Sequence, residues 1–168
     1  MKVIFDSDPP DVELIGSEEW RLLREERVLI DGHEVIIPPG FETDFGSVPD
    51  GLHRLIEKYG RQAKSYVLHD WLCGTEFFAW DLVSWDVRYR GSENRALCDR
   101  ALLDGMTAQG VSWWKRRAIY GAVRIFGGLV WDSHKLTDTE GNRALYLNYI
   151  NSARASKPAQ PPVGGLFL

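Results

Sequence analysis

At 168 residues the chain has the size of one domain with a sizeable core, and 44% apolar against 26% charged residues is an ordinary globular balance. A net charge of −4 argues against non-specific nucleic-acid binding, and no apolar run approaches the length of a membrane span. The N-terminus MKVIFDSDPPD is acidic, unlike a signal peptide, and Cys73 and Cys98 lack metal-type spacing, so both read as reduced core thiols of a cytoplasmic chain.

Up to residue 46 the signals are those of strands. VIFD (3–6) is a short apolar run stopped by Asp-Pro-Pro, EWRLL (19–23) and RVLI (27–30) follow, and EVII (34–37) leads into Pro38-Pro39. Asp31-Gly32 between two β-rich runs is a strong hairpin signal, so residues 3–38 are expected to form a small antiparallel meander with one face needing cover. From residue 46 the pattern turns helical. Ser47-Val48-Pro49-Asp50 fits a capping box, and Leu52, Leu55, Ile56 and Tyr59 make a helical stripe that stops at Gly60. Further helices are expected at about 62–73 ending at Gly74, from Ser92 to about Gln109, and from a Ser112 cap to Gly127-Gly128. Residues 75–91 are aromatic without a clean period and fit an inserted hairpin or a short helix plus loop. Residues 141–154 fit a last helix, and SKPAQPPVGG reads as an extended linker. The fold class is α+β: a small N-terminal meander covered by a layer of about four helices, with residues 1–135 as one domain and 136–168 as a C-terminal helix plus an extended arm. The aromatic content of 12%, with seven Trp, suits both a tight core and an interface.

GFETDFGSVPDG (40–51) sets Asp44 between Phe41 and Phe45, where an acid is costly to bury without a partner. His69 and Asp70, in YVLHDWLCG, are expected in the last helical turn, where an acid opposes the helix dipole and needs compensation. Asp99 has Ala96, Leu102 and Leu103 as helical neighbours, with Arg95 at i−4 as a ready partner. Asp44, Asp70 and Asp99 with His69 would make an oxygen-rich site with one imidazole, suited to a divalent metal ion. The alternative is that His69 packs and Asp70 pairs with an Arg. Ser47 as a nucleophile for His69 competes with its role as a cap, and His53 before His69-Asp70 matches metal-dependent phosphohydrolases poorly, because their fold is all helical. Trp113-Trp114-Lys115-Arg116-Arg117 puts three cations in a first helical turn, which suits an anion contact; a solvated face beside buried Trp rings accounts for them more simply.

Pro39 through Pro49, His69-Asp70-Trp71-Leu72, Asp99, and Ala122-Val123-Arg124-Ile125-Phe126-Gly127 with Trp131 together resemble a phage and prophage domain-of-unknown-function family, number 1353, over roughly residues 20–131. Gly46, where Ala is common, Cys73, where an aromatic is common, and the longer 75–91 segment depart from that pattern. The resemblance implies a tailed-phage or prophage accessory or virion protein, placed in the host cytoplasm or incorporated into a virion. It implies no catalytic role, but it groups Thr43, Asp44, His69, Asp70 and Asp99 as one constellation; Ser47 and, from the basic run at 113–117, Lys115 and Arg116 are further binding candidates. A metal-dependent hydrolase using Asp44, His69, Asp70 and Asp99 is the competing expectation. The arm ending in Leu166, Phe167 and Leu168 is expected to dock on another subunit, making a homo-oligomer, or on phage structural proteins.

Overall fold

The computed structural model describes residues 1–6, 9–17, 19–45, 60–75, 92–131 and 140–155. Six short strands come first: β1 (Val3–Phe5), β2 (Val12–Leu14), β3 (Trp20–Leu22), β4 (Glu26–Ile30), β5 (His33–Ile37) and β6 (Glu42–Thr43). Four helices follow: α1 (Ala63–Thr75), α2 (Ser92–Ala108), α3 (Trp113–Trp131) and α4 (Glu140–Ala155). The fold is α+β.

Asp31 (φ 49°) and Gly32 (φ 88°) both take the left-handed conformation, which matches the twist of the two strands they join. β4 and β5 pair antiparallel across that turn, and β1 adds to the other side of β4, giving the order β1-β4-β5. Val28, Ile30, Val35 and Ile37 face the core while Arg27 and Leu29 face outward, the alternation of a half-buried sheet.

The single meander expected over residues 3–38 is divided in the structure. β3 turns away from β4 and forms a second antiparallel sheet of order β2-β3-β6. The cause lies after β5, where Pro38-Pro39 ends the ladder and Gly40 (φ 87°) swings the chain back across β3. The Leu22 N–H then donates to the Phe41 carbonyl, and the Gly40 N–H donates to the Leu22 carbonyl.

Four of the expected helices occupy their ranges with shifted ends. Gly110 (φ 70°) closes α2 in the left-handed conformation, with the Val111 N–H bonded back to the Met106 carbonyl. Gly74 and Gly127 were expected to stop their helices in the same way. Neither has a positive φ, so α1 continues to Thr75 and α3 to Trp131. A glycine inside a helix costs about 1 kcal/mol but does not end it unless the backbone changes hand. The expected helix over 47–59, with Ser47 and His53, the segment 76–91 and the arm 156–168 lie outside the described residues.

α1 is the centre of the molecule, with every residue from Ala63 to Leu72 buried. Around it the Trp71 ring meets Phe41 at 5.2 Å, Tyr146 at 5.2 Å and Tyr149 at 5.3 Å, joining the loop before β6 and α4 to α1. α1 also buries four polar side chains that a helix of this kind should exclude. Each is matched by a different element: Lys64 pairs with Asp6 and Glu26, Ser65 bonds Gln109, His69 meets Asp99 on α2, and Asp70 meets Thr43 on β6. No helix among the described residues is long and apolar enough to cross a membrane.

Candidate functional site

The last two of those pairs form one connected cluster. His69 and Asp70 are adjacent on α1, near its middle and not in the last turn as expected, so the dipole argument for Asp70 has little force there. A hydroxyl compensates it instead. Thr43 Oγ1 donates to Asp70 Oδ2 at 2.5 Å, a short charge-assisted bond, and accepts the Phe45 N–H at 3.0 Å. On the other side His69 Nδ1 lies 3.6 Å from Asp70 Oδ1, and Nε2 lies 2.9 Å from Asp99 Oδ1. Asp99 in turn accepts from Arg124 Nη1 on α3 at 3.0 Å and lies 3.5 Å from Arg95 Nε, so both of its oxygens are engaged.

Four segments thus meet within the core: the 43–45 stretch, α1, α2 through Arg95 and Asp99, and α3. Asp70 is 3% exposed and Asp99 is 1% exposed, which makes their pairing obligatory, since a lone buried carboxylate would be neutralised or expelled. Burial alone would push His69 down. The hydrogen bonds and negative field of Asp70 and Asp99 outweigh it and raise the imidazolium to about 10. Burial also works to raise Asp99, yet His69, Arg124 and Arg95 together hold it below the usual carboxylate range. The two carboxylates thus favour the imidazolium, with Nε2 bonded to Asp99 and Nδ1 facing Asp70.

Phe41 and Phe45 are both fully buried, with the Phe45 ring edge-on to Trp20 at 5.7 Å. Phe45 also takes φ 55°, a conformation that costs a bulky residue about 1–3 kcal/mol. Its buried ring and its N–H bond to Thr43 hold it there. Asp44, between them, is half-buried and is engaged in an interaction of its own. The bond from this loop to Asp70 comes from Thr43.

The structure brings Thr43, His69, Asp70 and Asp99 together. It places Lys115 and Arg116 at the start of α3, about 13 Å along the helix from Arg124. Arg116 there donates to the Val111 carbonyl at 3.0 Å. Arg124 is the cluster member that residue-by-residue reasoning missed. Its chain position, 25 residues from Asp99, carries no spacing signal, although it lies within the motif quoted for the family resemblance. Cys73 was also missed as a neighbour, though its i+4 spacing from His69 announces it: Sγ lies 3.5 Å from His69 Nε2. A Cys–His nucleophile does not follow. A hydrogen bond with Cys98 and burial push the Cys73 thiol well above its ordinary value, so it is not a thiolate at neutral pH.

A divalent cation does not fit the cluster as it stands. Among the described residues no group of three or more His, Cys, Asp or Glu side chains is arranged to hold a metal ion. The carboxylate oxygens already face other groups, Thr43 and His69 at Asp70, and His69, Arg95 and Arg124 at Asp99.

α4 closes the other side of the loop. Asn142, fully buried, accepts the Glu42 N–H at 2.8 Å and donates to the Glu42 carbonyl at 2.8 Å. Its side-chain amide stands in for a neighbouring strand on the open edge of β6.

No curated protein and no solved structure matches the chain. A family model does, over residues 20–123, which takes in β3 to β6, the Thr43–His69–Asp70–Asp99 cluster and α3 as far as Val123. That match covers more than half of the sequence, and the chain belongs to the family described as Protein of unknown function (DUF1353).

Proposed function

We propose that the chain is an accessory or virion-associated component of a tailed phage or prophage that works by binding, and that its Asp/His constellation is a lock and not a reaction centre. One observation carries the reading: the two carboxylates and the imidazole of the cluster are buried against one another and their neighbours. Asp70 is taken by Thr43 and His69, Asp99 by His69, Arg95 and Arg124, and His69 by the two carboxylates. A general base needs a free lone pair with a pKa near the working pH, and a Lewis-acid site needs open donors; the cluster offers neither. What it does offer is a fixed loop at 43–45 on an otherwise small sheet. The phage setting rests on the family resemblance, since the family itself has no assigned biochemistry.

A metal-dependent hydrolase remains the second reading, and the left-handed Phe45 beside Asp44 favours it, because backbone strain gathers at reaction centres. Two experiments separate the readings. Mass spectrometry of purified particles, and particle yield from a phage lacking the gene, test the first: the protein should be found in particles or their yield should fall. Absence from particles with an unchanged yield would refute it. Metal-stimulated hydrolysis that disappears in a folded His69→Ala variant would establish the second.

A further inference from the structure

α3 carries an apolar face that nothing among the described residues covers. Its inward side, around Ile119 and Val123, packs on α2. The opposite side presents Trp114 (59% exposed), Ala118, Gly121 and Ile125 (72% exposed) in one line at i, i+4, i+7 and i+11. A Cβ built on Gly121 meets nothing within 4 Å, so the middle of the line is a shallow dip between two large ends. Arg117 and Arg124, seven residues apart, run along one flank, and from Trp113 to Trp131 the helix has four cations and no acid.

The spacing and the charge together select the occupant. Large-small-small-large along about 16 Å of helix is a seat for another helix of about three turns, whose ridge enters over Ala118 and Gly121. A second copy of α3 lying antiparallel would match Trp114 with Ile125 and Ala118 with Gly121. It would also set Arg117 against Arg124 of the other copy on the shared flank, a like-charge contact to which α3 itself contributes no acid. Single-stranded nucleic acid fits less well, because the centre of the face is aliphatic and small and the chain as a whole carries −4.

We infer that this face of α3 binds an amphipathic helix of a partner protein, with small or branched apolar residues on its ridge and carboxylates on one flank at seven-residue spacing. The inference builds on the binding role proposed above and names the kind of partner. Arg124 reaches both the face and Asp99, so the lock holds one of the two flanking cations in position.

The test uses the full chain and a labelled synthetic three-heptad helix with a Leu/Ala ridge and Glu at every seventh position on one flank, read by fluorescence anisotropy. The Glu peptide should bind and weaken with added salt, and a Lys-for-Glu peptide should bind at least about tenfold more weakly. Ile125→Asp should reduce binding by about tenfold or more, and Arg117→Glu should exchange the preference, losing the Glu peptide and gaining the Lys peptide. Both positions are exposed, so circular dichroism should be unchanged. Failure of the wild-type chain to bind the Glu peptide, equal binding by Ile125→Asp, or binding of oligo(dT) or anionic vesicles without the peptide would overturn the inference. Loss of the peptide result with the protein still present in particles would sink the surface and spare the role. Peptide binding with no trace of the protein in particles would do the reverse.

Discussion

Replacing Thr43 by Val tests the lock at its narrowest point. Valine keeps the shape of threonine and removes one oxygen, which in the native protein donates to Asp70 Oδ2 at 2.5 Å and accepts from the Phe45 N–H at 3.0 Å. The first loss is a hydrogen bond to a buried carboxylate, worth about 1.5–3 kcal/mol, and the second leaves a buried N–H unpaired at about 1–3 kcal/mol. Phe45 also loses part of what holds it at φ 55°. The expected destabilisation is about 3–5 kcal/mol, a large share of the 5–15 kcal/mol typical of a domain. In urea unfolding this appears as a fall in midpoint of about 2 M at unchanged slope, for a slope near 2 kcal/mol per molar. Thr43→Ser, which keeps the oxygen, should cost only about 1 kcal/mol. With Asp70→Asn the two changes should be non-additive by more than about 1 kcal/mol. A Thr43→Val protein within about 0.5 kcal/mol of the native one, or a Ser variant as damaged as the Val variant, would refute the reasoning.

Asn142→Asp removes the donor to the Glu42 carbonyl and sets a carboxylate against it, so thermal unfolding should show a loss of about 2–4 kcal/mol, while the isosteric change leaves α4 helical by circular dichroism. Gly105→Ala should lower stability by about 1 kcal/mol in denaturant titration: the new Cβ would lie 2.8 Å from Ser65 Oγ and 3.2 Å from the Phe5 ring, and overpacking of about 1–3 kcal/mol exceeds the gain in helix propensity. Stability should also depend on pH on both sides of neutrality. His69, raised from 6.5 to about 10, contributes stability that is complete below about pH 6.5 and is lost as pH rises through about 10. Asp99, held low, contributes stability that is present above the ordinary carboxylate range and is lost as pH falls through its depressed value. In His69→Gln the alkaline loss should be much reduced, as measured by melting temperature against pH.

Periodicity and turn chemistry made most of the fold legible. Asp31-Gly32 announced the hairpin, Gly110 the end of α2, and residues 141–154 the last helix, because each is a local signal. What escaped was set by contacts distant in sequence. β2 and β6 are only three and two residues long, too short for any alternation to register; both exist by pairing with β3, β6 because Gly40 returns the chain to it. Gly74 and Gly127 were misread because a glycine's hand is not written in the sequence. At the site, the apolar neighbours of Asp99 and the bare pair His69-Asp70 drew attention to three side chains that the structure buries together, while Asp44 is half-buried. Their partners were less visible. Thr43, not Asp44, carries the described bond to Asp70, and Arg124 and Asn142 come from elements 25 residues from Asp99 and 100 residues from Glu42.

The protonation of His69 bears most directly on whether the cluster is a lock or a reaction centre. Nitrogen-15 NMR of the imidazole at about pH 7.5, with and without added magnesium, manganese or zinc, reads both ring nitrogens at once. The account predicts that both carry protons, that the signals stay unchanged up to about pH 8 and move only as pH approaches about 10, and that none of the metals shifts or broadens them. A neutral ring with one bare nitrogen at neutral pH, or a His69 signal displaced by a divalent metal, would contradict it.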